Sequence, residues 1–445
     1  MSENKMSKSL VSIVKYEKPL ESVRKAVELA KGFENIPKNA KIFIKPNIVY
    51  WTRHCDFPKW GTITTSRVIE DIVVLLNEKG ITDITIGEGI VTEDPKDKLT
   101  AADAFEKLGY NKLKERYGIK IINTFERPFK KIDLGNGVIA NFNSDALESD
   151  FLIDVPVLKT HSQARVSLGI KNLKGLLNIP SRKQFHSVDP EKDLHFNIAQ
   201  LPNKIKHGLT IIDGIYTLER GPTFDGKALR KDILVASTDI LAADIVGAKL
   251  LGADPSEVKH LVYASKNQNC PLDLSNVEII GEKIEDLASF HEWDFLYEYN
   301  DTLPLPFAKM GVKGLKYHKY DTSLCTYCSG LTGILLVAIK SAWKGTPFDN
   351  VEFLVGKLQE PSEGMNKTIL VGQCQYVKNK DDTRIKELIP IKGCPPSLED
   401  VKEAFKKAGI KVPSYFFKNL DKGPLIFLER YKNKPEFEES FFQIA

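Results

Sequence analysis

The sequence predicts an α/β fold: a mostly parallel sheet layered with helices, followed by a smaller α/β domain that carries cysteines. Short, near-continuous apolar runs suit strands that are buried on both faces of a parallel sheet. Amphipathic patterns of helical period alternate with these runs in the first two-thirds of the chain. In order, we predict a helix at 20–33, a strand at 41–44, a helix at 67–79, a strand at 81–86, a helix at 101–117, and strands at 119–122, 151–158 and 209–212.

The chain of 445 residues is long enough for two or three domains. We predict an α/β domain over residues 1–284, a connecting segment over 285–320 that lacks clear periodicity, and a cysteine-bearing domain over 321–445. The aromatic tail after residue 415 is expected to pack on the body of the protein. Within the last domain we predict helices at 331–343 and 398–408 and strands at 351–355 and 368–371.

Net charge, the length of apolar runs and the cysteine content limit the kinds of partner and the cellular compartment that we expect. A formal net charge of +4 gives no support for a nucleic-acid binder with a basic surface. No stretch approaches the roughly 20 apolar residues of a membrane-spanning helix, and the polar N-terminus does not resemble a signal peptide. We therefore expect a cytoplasmic protein. That compartment is reducing, so the six cysteines point to metal binding or catalysis and not to disulfides.

Four of the cysteines fall in the last third of the chain. Cys325 and Cys328 form a CxxC pair, Cys374 follows a predicted strand, and Cys394 precedes two prolines. Four thiolates are the complete ligand set of a [4Fe–4S] cluster or of a structural zinc ion. A zinc ribbon would normally show a second CxxC pair, and a redox dithiol would leave Cys374 and Cys394 without a role. The sequence therefore favours a [4Fe–4S] cluster, with zinc and a dithiol as alternatives.

Polar side chains follow several of the predicted strands. Ligands of open α/β sheets bind in the crevice beyond the carboxyl ends of the strands. For any one of these residues a turn, a helix cap or a solvated loop is an equally good interpretation. Their convergence predicts a site. The residues at these ends are Lys45, Asn47, Glu88, Lys159, His161 and Asp213.

A basic, glycine-flanked segment follows His161. Lys171, Asn172 and Lys174 lie between two glycines, and His186 follows shortly after them. Lysines beside glycine-rich backbone suit the recognition of phosphate or carboxylate groups, although a solvated basic loop would look the same. No P-loop is present, and no G-x-G-x-x-G follows the first strand, so the sequence gives no nucleotide-binding fingerprint.

Several motifs together resemble a known family. They include Ile44-Lys45-Pro46-Asn47, the run VPVLKTH at 155–161 and the run GIKNLKG at 169–175. On these motifs the chain resembles the domain of unknown function family 362, often described as uncharacterised iron–sulfur proteins, over roughly 42–261. Many members carry clustered CxxCxxC ligands. The scattered cysteines here depart from that pattern, which argues for a single cluster and against a ferredoxin domain.

The resemblance extends to fold and ligand site. The family is distantly similar in fold to the N-terminal domain of lactate racemase-like proteins. That similarity implies a ligand in the cleft around Lys159, His161 and Lys171.

These observations predict an iron–sulfur protein, of redox or lyase type, that acts on a phosphate- or carboxylate-bearing small molecule. The alternative is a non-catalytic electron carrier or a cluster- or metal-handling partner protein, so whether the chain is an enzyme stays open. Besides the anionic ligand, the partners to consider are an electron-transfer protein such as ferredoxin and a second copy in a homodimer. We expect catalytic roles for His161, Lys159, Glu88 and Asp213, and substrate binding by Lys45, Asn47, Lys171, Asn172, Lys174 and His186.

Overall fold

The computed structural model of the protein describes residues 8–91, 97–298 and 300–444. Contacts divide the chain into two compact units. Unit 1 comprises Met1–Arg182, His195–Asp294 and Pro424–Ala445, and unit 2 comprises Lys183–Leu194 and Phe295–Gly423. The domain boundaries at residues 284 and 320 stay a prediction.

The strands and helices are numbered here in chain order. The strands are β1 Ser9–Lys15, β2 Ile42–Pro46, β3 Ile84–Glu88, β4 Lys120–Asn123, β5 Phe129–Asp133, β6 Ile139–Asn143, β7 Phe151–Val155, β8 Val157–His161, β9 Arg165–Ser167, β10 His207–Glu219, β11 Lys227–Ser237, β12 Val277–Gly281, β13 Leu315–Tyr317, β14 Val351–Leu354, β15 Lys367–Val371 and β16 Glu387–Ile391. The α-helices are α1 Glu21–Leu29, α2 Ser66–Glu78, α3 Leu99–Lys107, α4 Tyr110–Tyr117, α5 Ser144–Glu148, α6 Gly169–Asn172, α7 Ile179–Gln184, α8 Leu194–Ala199, α9 Ile240–Leu250, α10 Lys259–Gln268, α11 Ile284–Leu287, α12 Leu305–Lys309, α13 Thr326–Ala342, α14 Gly372–Asn379, α15 Leu398–Ala408, α16 Ser414–Lys418 and α17 Leu425–Leu428.

Unit 1 is built on a ten-stranded sheet in the order β12-β1-β11-β10-β7-β2-β3-β4, with β8 paired to β10 and β9 paired to β8. The run from β10 to β4 is parallel throughout. The central strands β2 and β7 are buried at every residue, which explains why their sequences are so apolar. Helix α2 turns Val68, Ile69, Ile72 and Val73 into the core. The tail 424–445 packs as expected, since Tyr431 accepts a hydrogen bond from the Ala228 N–H at 2.8 Å.

Three predicted elements differ from the structure by more than a shift of their ends. The helix predicted at 101–117 is two helices, because Gly109 adopts a positive φ of 78° between them. The strand predicted at 151–158 ends at Val155 and restarts at Val157, because Pro156 cannot donate to the ladder. The strand predicted to end at residue 212 continues to Glu219, since β10 pairs first with β7 and then with β8. Asp213 therefore lies inside a strand, and the prediction that it lies at a strand end was wrong.

Unit 2 contains a four-stranded parallel sheet in the order β13-β14-β15-β16. Its core combines the apolar faces of α13 and α15 with strand residues such as Phe353 and Ile369. The predicted fold class, a mostly parallel layered sheet with a smaller α/β part that carries the cysteines, is confirmed. Among the described helices, none is long and apolar enough to cross a membrane.

Candidate metal centre and buried lysine network

Four cysteines of unit 2 lie at the start of one helix and just after two strands. Cys325 is the residue before α13, and Cys328 lies in its first turn. Cys374 lies in the first turn of α14, directly after β15, and Cys394 follows β16. Because β15 and β16 are parallel neighbours, their carboxyl ends meet at one edge of the sheet. A backbone hydrogen bond of 2.9 Å from the Gln373 N–H to the Gly393 oxygen ties the two ends together.

The four sulfurs interact with one another. A Cβ on Gly372, whose φ is +86°, would lie 3.1 Å from the Cys328 Sγ, so this thiol rests against the start of α14. A hydrogen bond from Cys328 lowers the pKa of Cys325 to about 5, against the effect of burial. The same bond raises the pKa of Cys328, followed by burial and by the charges of Cys374 and Cys394. The four predicted ligands thus lie close enough to influence one another electrostatically, and their binding of a metal stays a prediction.

Two ammonium groups lie beside these thiols. Lys183 Nζ donates a hydrogen bond to Cys394 Sγ at 3.1 Å. Burial raises the pKa of Cys374, and the positive charge of Lys357 is the largest opposing effect. Cys325 is buried, whereas Cys374 and Cys394 are exposed. Among the described residues, no three His, Cys, Asp or Glu side chains are grouped so that they could hold a single metal ion.

In unit 1 the predicted strand-end residues form a buried network that begins at Lys45. This side chain is 0% exposed. Its ammonium donates to Glu88 Oε2 at 2.8 Å, to Asn172 Oδ1 at 3.1 Å and to the Pro46 oxygen at 2.7 Å. An ammonium has three N–H donors, so the protein itself satisfies all of them.

Lys159 is satisfied in the same way. It is also 0% exposed, and it donates to Asn47 Oδ1 at 2.7 Å, to the Thr62 oxygen at 2.8 Å and to the Pro222 oxygen at 3.0 Å. Asn47 Nδ2 donates to Asn172 Oδ1 at 3.0 Å and so joins the two lysines into one network. A ligand that used either ammonium would have to displace a protein acceptor.

Glu88 is held from several sides. Its carboxylate accepts hydrogen bonds from the backbone N–H groups of Ile48 at 3.1 Å and Gly89 at 2.7 Å. A Cβ on Gly175 would lie 2.3 Å from Glu88 Oε1 and 2.5 Å from Lys45 Cε. The absence of a side chain at Gly175 therefore lets the backbone close over the ion pair.

The geometry restricts what His161 and Asp213 can do. His161 Nδ1 accepts backbone hydrogen bonds from Gln163 at 3.0 Å and Ala164 at 3.4 Å, so the ring proton belongs on Nε2. In that tautomer the imidazole donates a hydrogen bond from Nε2–H, and it has no lone pair on Nε2 to accept a proton. Asp213 accepts the N–H of Thr65, the residue before α2, at 2.7 Å, and burial raises its pKa to about 6.

The remaining predicted binding residues differ in their surroundings. Lys171 is partly exposed, and its ammonium has no hydrogen-bond or ion-pair partner among the residues that the structure describes. Burial, followed by repulsion from Arg182, lowers the pKa of Lys171 to about 7. Lys174 is buried. His186 belongs to unit 2, where its Nδ1 lies 2.8 Å from the Thr322 oxygen.

Two buried acids of unit 1 are absent from the predicted site. Asp154 accepts a hydrogen bond from Asn172 Nδ2 at 2.8 Å, and burial raises its pKa well above the usual range. Asp244 accepts the first two N–H groups of α6, and burial raises its pKa to about 7. A charged residue inside the apolar run 151–158 was the available signal for Asp154, because an acid is almost never fully buried without a partner.

Residues 42–249 match the family described as Domain of unknown function (DUF362). The resemblance drawn from the sequence motifs is confirmed over that segment. The Thylakoid-associated protein sll1697 of Synechocystis sp. is 26% identical over 242 residues, which are 54% of this chain and 72% of that protein.

Two solved structures are similar at low identity. The lactate racemase apoprotein from Thermoanaerobacterium thermosaccharolyticum is 12% identical, with a TM-score of 0.34 over 97% of this chain and 91% of that one. A crystal structure of a Thermotoga maritima protein is 12% identical, with a TM-score of 0.27 over 57% of this chain and 60% of that one, less than two thirds of its length. At these TM-scores we draw no conclusion from either likeness.

Proposed function

We propose that unit 2 holds an iron–sulfur cluster on Cys325, Cys328, Cys374 and Cys394, and that the protein transfers single electrons. The observation that carries the proposal is geometric: parallel neighbours β15 and β16 end beside each other at Cys374 and Cys394, and the Cys328 thiol of the CxxC pair rests against the start of α14. Cys328 packs against the apolar core of unit 2, which is otherwise made of ordinary aliphatic and aromatic side chains.

The arrangement of the thiols favours a cluster over zinc. A tetrahedral zinc ion with Zn–S bonds of about 2.3 Å needs sulfurs about 3.8 Å apart. A cluster binds each thiolate to a different iron, so its ligand sulfurs lie farther apart than those around one zinc ion. The four cysteines form one CxxC pair and two single positions, with Cys394 before two prolines, and not the two CxxC pairs of a zinc ribbon. This pattern supports a [4Fe–4S] cluster.

Electron transfer is favoured over lyase chemistry for such a centre. A bound cluster would supply one-electron transfer. With four cysteines as ligands, no iron keeps an open position to act as a Lewis acid. Exposed Cys374 and Cys394 would place the cluster near the surface, within reach of an electron-transfer protein such as ferredoxin. The cytoplasmic location stays a prediction, since the Synechocystis relative is named as a thylakoid-associated protein.

A second function, the binding of an anionic small molecule by unit 1, is supported by Lys171. The residue is partly exposed, and its ammonium has no protein acceptor in the described part of the chain, in contrast to Lys45 and Lys159. The guanidinium of Arg182 is a second positive charge near Lys171, and the two charges repel each other. An anion bound there would relieve that repulsion. We therefore centre the predicted ligand site on Lys171, and the catalytic role that the geometry leaves to His161 is that of a hydrogen-bond donor through Nε2–H.

Metal and sulfide analysis of anaerobically purified protein, with absorption and low-temperature EPR spectra, tests the first function. We expect about four iron and four sulfide per chain. Cys374→Ser and Cys394→Ser should lose most of both, whereas Cys270→Ser, in unit 1, should keep them. Stoichiometric zinc, or no cluster after anaerobic reconstitution with iron and sulfide, would overturn the proposal.

A further inference from the structure

A short segment of the chain, Lys183–Leu194, belongs to unit 2 although the sequence on both sides of it belongs to unit 1. Three hydrogen bonds anchor it. His186 Nδ1 lies 2.8 Å from the Thr322 oxygen, three residues before the CxxC pair begins. Lys357 Nζ donates to the backbone oxygens of His186 and, at 3.3 Å, of Lys183. Thr322 and Lys357 therefore hold the segment beside the cysteines.

The first residue of this segment reaches the thiols. Lys183 Nζ lies 3.1 Å from Cys394 Sγ and 4.9 Å from the centre of the Tyr327 ring. Tyr327 stands between the two cysteines of the CxxC pair. A single ammonium thus contacts both the CxxC turn and the cysteine that comes from the β16 end.

Lys357 brings a second positive charge to the same place. Its backbone N–H donates to Ser323 Oγ at 2.8 Å, which holds the residue beside the start of α13. Its ammonium donates to backbone carbonyls and, among the described residues, neither it nor Lys183 forms an ion pair with a carboxylate. Their charges are therefore left to act on the nearby sulfurs.

We infer that Lys183 and Lys357 are positioning residues that raise the reduction potential of the cluster, an inference that rests on the proposed function. The reduced cluster carries one more negative charge than the oxidised cluster. An N–H···S hydrogen bond and an uncompensated ammonium both stabilise the more negative state, as hydrogen bonds to sulfur and net charge do in iron–sulfur proteins generally. Each lysine should therefore favour the reduced form.

A redox titration followed by absorption and EPR tests the inference on the full-length holoprotein. In Lys183→Met and in Lys357→Met we expect the ratio of reduced to oxidised cluster at a fixed potential to fall about tenfold, which for a one-electron couple is about 59 mV. Lys183→Arg, which keeps the charge and a donor, should restore most of the ratio. Lys340→Met is the matched control, because Lys340 lies twelve residues after Cys328 on α13, or roughly 18 Å along the helix.

The outcomes separate the two claims. If wild type holds a cluster and both Met variants keep the wild-type ratio within twofold, Lys183 and Lys357 do not tune the potential, and the proposed function still stands. If Lys340→Met changes the ratio as much as they do, a general charge effect replaces the specific one. If wild type holds no cluster, the proposed function fails and the inference fails with it. Iron and sulfide content, measured on every variant, confirms that the titrated samples carry the same cluster.

Discussion

Lysines serve two different purposes in the two units. In unit 1, Lys45 and Lys159 are fully buried, and oxygen atoms of the protein accept all of their hydrogen bonds. In unit 2, Lys183 and Lys357 meet a sulfur and backbone carbonyls, with no carboxylate partner in the described chain. A lysine-rich sequence can thus satisfy its charges with acceptors of the protein and so hold strand ends, or leave them available for a ligand. Substitutions in unit 1 should therefore change stability, and those in unit 2 should change the chemistry of the cysteines.

The largest effect is expected from Glu88→Ala in unit 1. This change leaves the Lys45 ammonium buried without its carboxylate, and breaking a buried pair in this way costs about 3–5 kcal/mol. The free energy of unfolding, from urea titration, measures it. Asp83→Ala, which breaks the exposed pair with Lys120, is the control and should cost less than about 1 kcal/mol. Equal losses in both variants would mean that the buried pair does not anchor the strand ends.

A smaller effect is expected from Gly175→Ala. The new Cβ would meet Glu88 Oε1 and Lys45 Cε at well under contact distance, and overpacking of this kind costs about 1–3 kcal/mol. Gly330→Ala in α13 of unit 2 is the matched control. A Cβ on Gly330 would meet no other atom within 4 Å, so alanine should stabilise that helix by up to about 1 kcal/mol. Thermal unfolding compares the two, and a neutral Gly175→Ala would show that the backbone does not close tightly over the ion pair.

The smallest effect is expected in the pH dependence with which the Lys171 amine reacts. The stability of the protein need not change. Only a neutral amine reacts with acetic anhydride, and a pKa of about 7 keeps half of this amine neutral at that pH. Acetylation of Lys171, followed by mass spectrometry, should therefore be half-maximal near pH 7. Arg182→Gln should move the midpoint to higher pH by removing the repulsion. Inorganic phosphate in excess should slow the reaction, and a midpoint above pH 9 would remove Lys171 as the centre of an anion site.

Sequence patterns predicted most of the elements that shape the two sites. The helix at 398–408 has the predicted limits, and the strands that end near Lys45 and Glu88 lie where the apolar runs indicated. Local periodicity and turn residues are sufficient for such elements, because each buries one face against the same sheet. Asp213 shows the limit: a polar residue after an apolar run looked like a strand end, whereas pairing with β8 and β11 extends the strand past it.

The sequence alone determined the α/β class and the family resemblance and predicted the four cysteines as one ligand set, because composition, periodicity and residue chemistry are local properties. Only the tertiary structure decided which lysine serves which group. Lys45 and Lys171 both look like anion binders in the sequence, yet one has three protein acceptors and the other has none among the described residues. Lys183 reaches Cys394 across 211 positions of sequence. The distance that decides a hydrogen bond is set by the folded path of the chain, and no local pattern records it.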